Sequence, residues 1–174
     1  MADKSPSKAL SLVTRIEMMC DFIENPAIRT AVEQAVPVSM PHEVGALGFD
    51  IPLWVGLGTV GLWAALDGFS ERAGLSRRKC RICGHHCMPQ RFAAAGAPNN
   101  DGLNELDDIR HLHAHNYAGE ADVEYFSRSR HVLKPNGPVE LTCGATFDGS
   151  RLNLDLSHLR NYARIVKRVL EHFS

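Results

Sequence analysis

The stretch "LNELDDIRHLHAHNYAGEAD", residues 103–122, decides how this chain is read. Leu106, Ile109 and Leu112 recur at helical spacing and Gly119 supplies a stop, so a helix is expected over about 104–118. At 100° per residue those three side chains define an arc that faces a core. His113 falls inside the arc and is expected as a hydrogen-bonded core histidine. His111 and His115 lie together on the opposite, polar side, and Asp107 and Asp108 lie there too. Arg110 stands at one border of the polar face and His115 toward the other. A long arginine that leans inward lets the two converge on one ligand.

Working outward, "IPLWVGLGTVGLWAAL", Ile51 to Leu66, carries no charge. It is shorter than the ~20 residues a membrane span usually needs, and Asp50 and Asp67 bracket it. A buried helix over about 52–73 is therefore expected. Its glycines Gly56, Gly58 and Gly61 lower helix propensity but let another helix approach closely. Upstream, Leu12, Ile16, Met19 and Ile23 predict a helix near 7–24 that ends at Asn25-Pro26, and a short helix follows to about Ala35. Downstream, "VELTCGATFDGSRLNLDL" reads as a β-hairpin turning at Asp148-Gly149. The last helix is expected near 157–173, capped by Ser157, with Leu159, Tyr162, Ile165, Val166, Val169 and Phe173 forming one apolar face. The expected fold class is mainly α: one helical-bundle domain over 1–174, with a small β-hairpin before the last helix.

Residues 74–102 read as a long connection, rich in Cys and His. Within it, Cys80, Cys83 and Cys87 surround His85 and His86. The first cysteine pair has zinc-knuckle spacing. Four ligands so close together would be strained, and Cys143, His42 or another remote residue could complete a site. Structural zinc and free thiols on a loop both remain open. Arg77, Arg78 and Lys79 form a short basic flank that can touch RNA phosphates or simply face solvent.

The totals are those of a soluble globular protein: 174 residues, 44% apolar, 22% charged, net charge −1. A polycation is excluded, so nucleic-acid contact must come from a local patch. Five cysteines, with no apolar leader in "MADKSPSKAL", point to a reducing cytoplasmic setting rather than a disulfide framework.

Two chemistries suit the histidine face. An i, i+4 histidine pair binds zinc if further ligands, such as the local carboxylates, complete the set. Alternatively, a guanidinium holds a phosphate and a histidine moves a proton, which cleaves RNA with its own 2′-hydroxyl as nucleophile. A solvated polar face is the third reading.

Arg110-His111-Leu-His-Ala-His115-Asn116, with Gly119 and Asp122 beyond, resembles the signature helix of the HEPN superfamily. That signature is an arginine, a polar residue, and a histidine about four to six positions after the arginine. The acidic, leucine-rich lead-in, the hairpin and the closing amphipathic helix are similar as well. The resemblance implies a helical bundle that commonly dimerises and, in many members, a metal-independent endoribonuclease of toxin–antitoxin or defence systems. It implies that Arg110 holds the scissile phosphate, His115 is general acid or base, and His111 supports them. Asn116 falls in the substrate-binding part of the motif. The position of His111 is often Asn or Asp in the family. Other members have lost catalysis and bind a partner protein or nucleotide. A small zinc protein built on the cysteine loop is the remaining alternative.

Overall fold

A computed structural model describes residues 5–35, 51–75, 88–98, 101–115, 146–148 and 151–174. Among them the chain is predominantly helical. The elements are α1 (Ser7–Glu24), α2 (Pro26–Ala35), α3 (Ile51–Ala73), α4 (Met88–Ala94), α5 (Asp101–His115), strands β1 (Thr146–Asp148) and β2 (Arg151–Asn153), and α6 (Leu156–Glu171).

Helix α3 packs against α1, α5 and α6, and its composition explains why it can. Each of three glycines faces a different neighbour: Gly56 meets His113 of α5, Gly58 meets Leu159 of α6, and Gly61 meets Ile16 of α1. A Cβ at Gly56 would stand 2.8 Å from His113 Nδ1, and one at Gly61 would stand 3.1 Å from Ile16 Cδ1. The glycines sacrifice helix propensity and gain close approach on three sides. Val55, Leu62, Leu66 and Phe69 fill the remaining contact surface. None of the described helices is long and apolar enough to cross a membrane.

The helix ends follow local chemistry. Ser5 Oγ accepts the Ser7 N–H (3.2 Å) at the start of α1, with Pro6 between them. Asn25 closes α1, and its Oδ1 accepts the Ala27 N–H (3.0 Å) where Pro26 opens α2. Helix α3 stops at Gly74, whose φ of 69° lets the Leu75 N–H reach Ser70 O (2.9 Å). The cap of α6 is Asp155 rather than Ser157. The Asp155 carboxylate accepts the N–H groups of Ser157 and His158, and its own N–H donates to His158 Nδ1. Burial alone would raise the Asp155 pKa; the hydrogen bond from the Ser157 hydroxyl (2.6 Å), the two N–H donors and the nearby His158 outweigh it and hold the carboxyl below its usual range.

The segment expected as an unbroken connection contains α4. Met88 and Phe92, four apart on one face, are buried together with Pro89. Phe92 joins Phe69 and Phe173 in an aromatic cluster with ring centroids 5.5–6.1 Å apart. Arg91 Nη1 donates to Asp67 Oδ1 (3.0 Å) and Ser70 Oγ (3.1 Å), which ties α4 to α3. Seven residues are too few for periodicity to stand out, and the following "AAAG" masks the signal.

Strands β1 and β2 pair antiparallel, with Thr146 opposite Asn153 and Asp148 opposite Arg151. Gly149 and Ser150, between them, lie outside the described residues, as does the expected stop at Gly119.

Candidate functional site: the α5 arginine

Helix α5 carries the arc expected of it. Leu106, Ile109 and Leu112 are fully buried. Its acidic face departs from expectation. Asp107 and Asp108 are buried instead of solvated, and Glu105 is buried with them. Glu105 Oε2 accepts the hydroxyl of the equally buried Tyr162 from α6 (3.1 Å). A buried carboxylate needs such donors. The helix is thus surrounded on more sides than its charge pattern suggested.

Asp107 holds the central position. Its Oδ1 accepts the indole N–H of Trp63 from α3 (2.8 Å) and a guanidinium N–H from Arg110 Nη2 (3.0 Å). The Arg110 Cζ lies over the Trp63 ring, 4.1 Å from its centroid. The three groups form a closed triangle across two helices. The Arg110 side chain is 18% exposed. Its Nε is buried and has no hydrogen-bond partner among the described residues. The guanidinium therefore does not swing along a polar surface; it is held by an aromatic face and one carboxylate oxygen.

His113 does face inward, packed against Gly56. The expected hydrogen bond is absent at Nε2, which is buried without a partner among the described residues. Burial lowers its pKa below the usual histidine value. His111 is half-buried beside Arg110. His115 closes the last described turn of α5. Five residues after Arg110, its backbone lies about 7.5 Å further along the axis.

Asn116, the basic residues Arg77, Arg78 and Lys79, and Cys80, Cys83 and Cys87 all lie outside the described residues, as do His42 and Cys143. Among the described residues no group of three or more His, Cys, Asp or Glu is placed to hold a metal ion. The one described cysteine, Cys20, is fully buried in α1, and its thiol pKa is pushed up to about 11, chiefly by burial.

Reading the sequence missed Trp63. The signal was there: an indole N–H inside a run with no charge needs an acceptor from another element. The chain matches no protein-family model, no curated protein and no solved structure.

Proposed function

We propose that this chain is a HEPN-like endoribonuclease that cleaves RNA without a metal ion. The observation that supports the reading is the held guanidinium of Arg110, five positions before His115 on one helix. A preoriented arginine meets the charge that builds on a phosphorane without rearranging as the reaction proceeds. Arg110 grips the scissile phosphate, His115 transfers the proton, and His111 supports them. Asn116 and the basic flank of Arg77, Arg78 and Lys79 contact the substrate. The neighbouring 2′-hydroxyl is the nucleophile. A second copy of the chain completes the cleft, and an antitoxin-like protein is the natural regulator of such an activity. Structural zinc, where bound, belongs to Cys80, Cys83 and Cys87.

The test is cleavage of single-stranded RNA in EDTA by the purified chain. Arg110→Ala should abolish it, and His115→Ala should cost about 10²–10⁴-fold, the usual contribution of a general acid or base. Full activity in either variant removes the mechanism.

One observation favours a second reading, a catalytically silent module that binds a protein or nucleotide. The charge of Arg110 is already met by Asp107. RNA binding without cleavage by the wild-type chain would select it.

A further inference from the structure

We propose that Trp63, on the helix opposite the signature motif, is a positioning residue for Arg110. The inference rests on the ribonuclease reading and adds to it a residue from a different element. Two contacts meet at this one side chain, and a third closes the triangle. The indole N–H donates to Asp107 Oδ1 at 2.8 Å. The same oxygen accepts from Arg110 Nη2 at 3.0 Å. The indole face lies under the guanidinium at 4.1 Å.

Each contact alone leaves freedom. A single carboxylate oxygen fixes one point of a guanidinium but not its plane, whereas a bidentate pair would fix both. Here Asp107 supplies only the point. The indole face supplies the plane, and the indole N–H stops Asp107 from rotating toward a second guanidinium nitrogen. Trp63 thus completes by stacking what the carboxylate leaves undone. The arrangement also keeps the ion pair single-pointed, so that the remaining edge of Arg110 is not taken up by Asp107. Among the described residues Nη1 meets no carboxylate or carbonyl, while Nε is buried. Nη1 is the donor that a phosphate would take.

The chemistry gives an ordered set of variants. Trp63→Phe keeps an aromatic face under the guanidinium but removes the N–H from Asp107. Trp63→Leu removes both. Phe69→Leu, on the same helix, removes a buried ring that packs on Phe92 and Phe173 and serves as the packing control. Cleavage kinetics on a short single-stranded RNA should show kcat falling about tenfold in Trp63→Phe. The fall should reach about a hundredfold in Trp63→Leu, the loss expected when a catalytic group drifts by about 1 Å. KM should stay within about threefold, because the interaction lost is realised mainly in the transition state. The second readout is the Arg110 Nε–H resonance in ¹⁵N-labelled protein. The indole ring should displace it upfield in the wild type, and Trp63→Leu should remove that displacement.

Equal kcat losses in Trp63→Leu and Phe69→Leu would mark general loosening and overturn the assignment. An active Trp63→Leu beside a dead Arg110→Ala would overturn it while leaving the ribonuclease reading intact. A wild-type chain that cleaves no RNA overturns the ribonuclease reading instead. The resonance then decides the positioning by itself, and an unshifted Arg110 signal in Trp63→Leu overturns it.

Discussion

Two seams of this bundle each pair an arginine with carboxylates, and they do so in opposite ways. Between α1 and α6, Arg160 reaches Asp21 (2.6 Å) and Glu24 (2.7 Å), both exposed acids, while Val13, Ile16 and Cys20 keep the interior apolar. Between α3 and α5, the charges lie within: Asp107 is buried, Arg110 nearly so, and a tryptophan seals them. The outer pair is the arrangement water favours, since neither partner is stripped of solvent. The inner one carries a desolvation penalty that an apolar pair would avoid. What the arrangement yields is a fixed guanidinium, because orientation is what burial and stacking supply.

The largest expected effect comes from breaking the inner seam. Asp107→Leu leaves the Arg110 charge and the Trp63 N–H without their acceptor, and should cost about 3–5 kcal/mol. Adding Arg110→Met should recover most of that, because an apolar pair of similar volume is often neutral or stabilising. Urea unfolding of the two variants checks both signs. A double variant no more stable than Asp107→Leu would mean that the triangle is a stability device after all.

Next comes the pH response of the same seam. The folded-state pKa of His113 is depressed below the usual value near 6.5. Between that folded value and 6.5 the unfolded chain binds more protons, so stability rises with pH in this window. It should be complete above about pH 6.5 and fall as the pH drops through the folded pKa. His113→Leu should flatten this part of the pH–stability profile. An unaltered slope would place the responsible group elsewhere.

The smallest effect belongs to the outer seam. Arg160→Ala should cost about 0.2–1 kcal/mol for each lost pair, and the loss should shrink as salt rises. A loss as large as that of Asp107→Leu would erase the contrast between the two seams.

How much of this was legible in the sequence follows from the same contrast. Helix α6 could be read because its apolar face repeats over four turns, and Leu159, Tyr162, Val166 and Val169 are buried as their spacing predicts. Gly56, Gly58 and Gly61 of α3 could be read as sites of close approach, and each of these meets a different helix. The polar residues of α5 could not. Periodicity assigns Asp107 and Asp108 to water; for Asp107 the Trp63 N–H from α3, with Arg110 beside it, makes burial tolerable. The position of Arg110 was visible as a motif, but its partner Trp63 was hidden in a run that reads as plain core. Such long-range polar pairing carries no local period, so no window along the chain reports it.

The central claim is that Arg110, held by Asp107 and Trp63, serves metal-independent phosphodiester cleavage. The most direct measurement is the end chemistry of RNA fragments produced by the wild-type chain in EDTA. Attack by the 2′-hydroxyl predicts a 2′,3′-cyclic phosphate and a 5′-hydroxyl, with no product from RNA carrying 2′-O-methyl at the cut. Fragments ending in 3′-hydroxyl and 5′-phosphate, or cleavage that stops when EDTA is added, would contradict it.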